Sequence, residues 1–240
     1  MGILSIFSRD PGQRVQALRK KIQERYGQPE GRQQAMDKLL DMGTPEAIAA
    51  LLTRFTVNVE PSITDAEEKE YLFKSLVDMG EKAVDPIQAF LLRSDDAASW
   101  ALRLLDQLIA PEALVAFCIE ALRKIGPDYT RDPEKKLVLI STLAKREGDA
   151  ISEAIIPFLE DPADDVRIEA AYALARQAKE CAREPLLKAF VESSDRNRVI
   201  AAIAAALADT GFGVQGYREK IEQGLPAGYS VNREGKVIKQ

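Results

Sequence analysis

The chain is predicted to be all-α, an α-solenoid of about five to six antiparallel helix pairs. Three observations predict it. Helix punctuation recurs along the 240 residues, with proline just inside several starts, as at Pro11, Pro45 and Pro133, and glycine just past several stops, as at Gly43, Gly126 and Gly211. An Ala-x-x-Pro motif followed by apolar residues returns at Ala83–Pro86, Ala154–Pro157 and Ala182–Pro185. Its prolines are about 71 and then about 28 residues apart, roughly two periods and then one, within the range of repeat architectures. Alternate helices are crowded with small residues, as in Ala170, Ala171, Ala173 and Ala175, and again in Ala201, Ala202 and Ala204–Ala206. Small residues let neighbouring helices approach, while Ile168, Leu174, Ile203 and Leu207 fill the gaps.

Asp10-Pro11 supplies an N-cap and a first-position proline, and Gly27 is the expected stop. Val15, Leu18, Ile22 and Tyr26 fall on one face of the helix between them. A second helix is expected from Glu30 to Met42, ended by Gly43, and a third from Thr44-Pro45-Glu46 to about Phe55. Thr56–Ile63 interrupts the pattern: Thr-Val-Asn-Val is β-prone and Pro61 breaks it. Long loops in repeat proteins often sit on a working face, and a merely lengthened connection is the alternative. Thr64 and Glu67 have the spacing of a capping box, opening a helix that ends at Met79-Gly80. Further helices are expected over 81–92, 96–109, 111–125, 133–146, 149–160, 164–177, 179–192 and 195–210. A last, partly polar helix over 214–224 precedes a small C-terminal β-hairpin over 228–239, turning at Asn232–Gly235, with a tail as the alternative. This divides the chain into an apolar tip and amphipathic capping helix (1–28), a repeat domain (29–224) and a C-terminal tail or hairpin (225–240).

Composition narrows the chemistry. Histidine is absent, which removes His-based acid–base catalysis, Ser-His and Cys-His nucleophiles, and most catalytic zinc or iron sites. The two cysteines, Cys118 and Cys181, form no CxxC, and Cys118 lies on an apolar helical stripe, so no metal or cofactor site is expected. A net charge of −5 argues against a nucleic-acid partner. Few cysteines suit a reducing, cytoplasmic setting, and no apolar run approaches the roughly 20 residues of a membrane span. Met1–Phe7 is apolar but short for a signal-peptide core, and Ile6 stands where a myristoylation signal needs Ser or Thr.

Asp161, Asp165-Val166-Arg167 and Ala170-Ala171-x-Ala173-Leu174 resemble a HEAT repeat of the bacterial type, the subtype of the phycobilin lyases. The likeness is strongest over Ile155–Ala208 and architectural over about Glu30–Gly148. It implies a right-handed stack whose second helices line a concave, protein-binding face. It also implies that Asp165 and Arg167 are structural, as members of a ladder between neighbouring repeats.

The leading expectation is therefore a non-catalytic scaffold or adaptor for another protein, not an enzyme. The candidate partner-binding residues are Arg54, Gln88, Arg93, Arg123 and Lys188, polar positions flanking the apolar stripes of the inner helices. A HEAT-like enzyme is the first alternative. A deoxyhypusine hydroxylase holds iron with His-Glu motifs, which a histidine-free chain lacks. An alkylpurine DNA glycosylase needs a basic aromatic channel, whereas Trp100 sits in a strongly apolar helix and suits the core. A bilin-lyase relative would need pigment-handling residues, and none stands out. The second alternative is a peripheral membrane adaptor. Ile3, Leu4, Ile6 and Phe7 would insert and Arg9, Arg14, Arg19, Lys20, Lys21, Arg25 and Arg32 would meet anionic lipid. Packing of that tip on the first helix pair is favoured over membrane contact.

Overall fold

The structure, a computed structural model, describes residues 11–240. It contains thirteen α-helices and one two-stranded antiparallel sheet among those residues, the all-α class with a C-terminal hairpin that the sequence predicts. The chain divides into two compact units, residues 1–110 and 111–240. The apolar tip Met1–Ser8 and the Asp10 cap lie outside the described residues.

The first unit holds α1 (Pro11–Ile22), α2 (Pro29–Met42), α3 (Pro45–Leu52), α4 (Ser62–Asp78), α5 (Val84–Arg93) and α6 (Ala98–Leu108). Helix α1 stops at Ile22, one turn short of the expected Gly27. Tyr26 is 98% exposed, and the carbonyls of Glu24 and Gly27 accept from the Arg32 guanidinium. Gly43 ends α2 in the left-handed conformation (φ 58°), donating to the Leu39 carbonyl, and Thr44 accepts from the Ala47 amide to open α3. Helix α3 packs against both α1 and α5, while α4 packs against α2 and α6.

The expected Thr64–Glu67 capping box does not form. Helix α4 starts at Ser62 after an extended Pro61, and Asp65 closes its backbone bond to the Pro61 carbonyl. Residues 57–61 form no strand. Trp100 is half-buried, stacked on Phe55 at 4.8 Å between centroids, with the Arg103 guanidinium 4.5 Å from its ring.

The second unit holds α7 (Pro111–Ile125), α8 (Glu134–Ala144), α9 (Asp149–Ile155), α10 (Asp164–Gln177), α11 (Arg183–Glu192), α12 (Asn197–Thr210) and α13 (Arg218–Gly224). Helix α10 packs against α8 and α12, making one layer, while α7 packs on α9 and α11 on α13. Ala170, Ala171, Ala173 and Leu174 are buried in that layer, and Cys118 is buried in α7. Strands β1 (Tyr229–Val231) and β2 (Val237–Lys239) pair antiparallel, β2 packs on α12, and the Gly235 amide donates to Asn232 across the expected turn.

The Ala-x-x-Pro motif acquires a physical meaning here. Ala83 and Ala182 end 3-10 turns that lead directly into α5 and α11, and Pro86 and Pro185 occupy the third residue of those helices. An amide in the first turn has no intrahelical acceptor, so proline there costs no ladder bond. Pro157 lies in the 3-10 turn that continues α9.

Leu174 is fully buried between α10 and its neighbours. Leu174→Ala is expected to cost about 2–5 kcal/mol through lost burial and the cavity left behind. Urea unfolding followed by circular dichroism checks this; an unchanged midpoint would show that Leu174 does not bridge the layer.

Candidate functional site

The first unit carries an open groove of about 920 Å³ across α1, α3 and α5. Its floor is made of short side chains, Ala49 and Ala50 from α3 and Ala89 from α5, beside the ring of Phe90. Short alanine side chains do not fill the space above them, and that space is the groove. Gln16 and Arg19 of α1 and Gln23 just beyond its end form one wall. Glu46 rises from the first turn of α3, Glu81, Lys82 and Asp85 flank the start of α5, and Arg93 stands at its end.

Of the five residues the sequence singled out, the groove collects only Arg93, which is exposed. Gln88 is half-buried on the same helix and does not line the groove. Arg123 of α7 and Lys188 of α11 are exposed residues of the second unit. Lys188 pairs with Glu160 at 2.9 Å, and that hydrogen bond and charge hold its ammonium above the ordinary lysine value.

Arg54 is not a surface residue at all: its side chain is fully buried. It donates to Glu68 at 2.9 Å, to Asp65 at 2.8 Å and to the Val57 carbonyl at 2.9 Å. Glu68 also receives Arg32, buried as well, at 2.7 and 3.0 Å. Lys69 pairs with Asp65 at 2.7 Å and donates to the Asn58 side chain. Two guanidiniums and an ammonium thus surround two carboxylates, joining α2, the 3-10 turn over Thr53–Thr56, the 57–61 connection and α4. Arg32 therefore leaves the basic N-terminal surface that the membrane alternative counted on.

Burial raises the Asp65 pKa, but the hydrogen bonds from Lys69, Arg54 and the Val59 amide outweigh it and hold the carboxyl below its usual 3.8. A depressed folded-state pKa means stability that is present above the unfolded value and lost as pH falls through the folded one. The first unit should therefore lose stability as pH is lowered through and below about 3.8, and Asp65→Asn should flatten that acid limb. Thermal melts of both proteins followed by Trp100 fluorescence decide it. Equal slopes would remove Asp65 from the account.

In the second unit Asp165 and Arg167 do not touch each other's charge. Asp165 pairs with Arg198, 33 positions on, at 2.7 Å, and Asp164 pairs likewise with Arg196. Arg167 donates to its own turn carbonyl at Asp161 (2.6 Å) and reaches Ser193 at 3.4 Å. The sequence missed a stronger link: Lys136, 1% exposed, pairs with the buried Asp161 at 2.6 Å and also donates to the Asp128 carbonyl. A lysine flanked by charged neighbours in Glu134-Lys135-Lys136 carries no signal of burial; only its place on the apolar side of α8, beside Leu139, Ile140 and Leu143, points inward.

No group of three or more His, Cys, Asp or Glu with metal-binding geometry occurs among the described residues. No family model and no curated protein matches the chain. Four chains of solved structures do. One of these is human deoxyhypusine hydroxylase in complex with glycerol, 16% identical over 89% of this chain and 93% of that one, with a TM-score of 0.31. That protein is an enzyme, and the expectation that this chain is no enzyme is withdrawn on that finding. The physical reason is that lack of histidine removes imidazole chemistry alone; carboxylates, lysines and tyrosines remain competent acids and bases. At this distance the likeness transfers no residue, substrate or cofactor.

Proposed function

We propose that the chain is an adaptor that holds another protein in the groove across α1, α3 and α5. The observation that supports this most is the groove itself: about 920 Å³ with an alanine floor and a rim of charges from three helices. A floor of alanines admits an incoming side chain or backbone without any helix having to move. The rim charges Arg19, Glu46, Glu81, Asp85 and Arg93 make no ion pair within the described residues, so a partner meets them without first breaking internal contacts. The setting we propose is cytoplasmic; no described helix is long and apolar enough to cross a membrane.

Arg54 is unsuitable as a probe of binding, because its loss disrupts the buried network. The informative variant is Ala49→Trp with Ala89→Trp, which fills the groove from both helices while both positions remain outside the buried core. Affinity capture from the native host, compared by mass spectrometry between wild type and this variant, is expected to show a partner retained by the first and lost by the second. A correctly folded variant that keeps every partner would refute the groove as the binding surface.

A further inference from the structure

Inside its charged rim the groove of the first unit is apolar. Pro45, Ala49 and Ala50 of α3 and Pro86, Ala89 and Phe90 of α5 line it, and the half-buried Phe90 ring meets no other ring among the described residues. Gln16 and Arg19, three positions apart on one side of α1, border the same space. Outside the described residues the sequence carries an apolar segment, Met1-Gly2-Ile3-Leu4-Ser5-Ile6-Phe7, joined to the start of α1 at Pro11 by Ser8-Arg9-Asp10.

We infer that Met1–Phe7 folds back and occupies this groove within its own chain. The length of the segment suffices. Gln16 and Arg19 lie five and eight residues beyond Pro11, about 7.5 and 12 Å along the helix at about 1.5 Å per residue. Phe7 and Ile3 lie four and eight residues before Pro11, up to about 13 and 26 Å away in extended chain. A chain that turns back at Arg9-Asp10 therefore spans the stretch from Gln16 to Arg19 and has length left to reach α3, which packs directly on α1. The chemistry matches as well: Met1, Ile3, Leu4, Ile6 and Phe7 leave water for a surface of alanine, proline and phenylalanine. A second depression of the first unit, beside Glu30, Glu67 and Glu68, receives no residue from α1 and has carboxylates and side-chain amides where the groove has alanines. An anionic membrane is the competing destination, and its cationic support is depleted: Arg32 is buried on Glu68, Lys21 pairs with Glu24 at 2.7 Å, and Arg19 borders the groove. A short tether holds the segment at an effective concentration on the order of millimolar, so it competes with a partner for the groove. That competition rests on the groove being the binding surface; occupancy by the segment does not.

The test compares amide NMR spectra of the full chain and of its Leu4→Ser/Phe7→Ser variant, whose substitutions precede α1 and touch no core position. The resonances of Ala49, Ala50, Ala89 and Phe90 are expected to shift, and a synthetic peptide of residues 1–10 added to the variant is expected to return them saturably toward wild type. Unchanged groove resonances, or shifts confined to other faces, would overturn the inference. Co-sedimentation of the wild type but not the variant with phosphatidylcholine–phosphatidylserine vesicles would in that case assign the segment to a membrane. If the segment is also the competitor, the variant should capture a groove-dependent partner about tenfold more strongly. Shifted groove resonances with unchanged capture would keep the segment in the groove and overturn the adaptor reading instead.

Discussion

Replacing Glu68 with alanine is expected to destabilise the first unit by about 3–5 kcal/mol, the cost of breaking a buried pair from one side. Glu68 is 6% exposed, and both of its oxygens are occupied by the guanidiniums of Arg32 and Arg54, each fully buried. Its removal leaves two guanidiniums in a low-dielectric interior with Asp65 as the remaining carboxylate, and Asp65 is already shared with Lys69. Trp100 is the chain's single tryptophan and stacks on Phe55, next in sequence to Arg54, so its fluorescence reports this region directly. Urea titration of Glu68→Ala should show the midpoint shifted far to lower denaturant. The exposed pair Asp165–Arg198 is the matched control: Asp165→Ala should cost no more than about 1 kcal/mol, since both partners are solvated. Equal losses from the two substitutions would mean that the buried network contributes no more than a surface pair.

Asp161→Ala is the second large effect, again about 3–5 kcal/mol, and it falls on the second unit. Asp161 receives the Lys136 ammonium on one oxygen and the Ala163 amide on the other. Its loss leaves an ammonium that is 1% exposed with the Asp128 carbonyl as its remaining partner, and it also opens the turn that starts α10. A discriminating companion is Lys136→Met with Asp161→Ala. Removing both charges takes away the uncompensated ammonium, so the double variant should recover much of what the single one loses. Chemical unfolding followed by helix circular dichroism measures both. A double variant less stable than either single one would show that the pair is not coupled as the distance implies.

Much of the fold was legible in the sequence. Local signals did that work: Gly43, Gly126 and Gly211 end helices in the left-handed conformation, Pro111 starts α7, and the alanine-rich α10 and α12 pack closely. These depend on backbone sterics within a few residues, so the chain carries them explicitly. The errors lie where a distant side chain overrules local preference. Tyr26 matched the helical spacing of α1, yet that helix ends at Ile22 and the Glu24 and Gly27 carbonyls beyond it accept from Arg32. Thr64 and Glu67 matched a capping box, yet α4 starts earlier and Asp65 turns to Arg54 and the Val59 amide.

The candidate site was less legible than the fold. Arg93 was recognised as a polar position beside an apolar stripe, and the groove collects it; Arg54 satisfied the same criterion and is buried. An arginine flanking an apolar face is solvated or internal according to whether a carboxylate on another helix meets it, and Glu68 lies 14 positions away on α4. The amino-acid sequence by itself determined the all-α class, most helix starts and stops and the C-terminal hairpin, because each arises from interactions among near neighbours. Only the tertiary structure decided which charges are buried with partners and which stand unpaired around a groove. That choice depends on the desolvation of groups brought together from separate helices, and a linear pattern does not encode it.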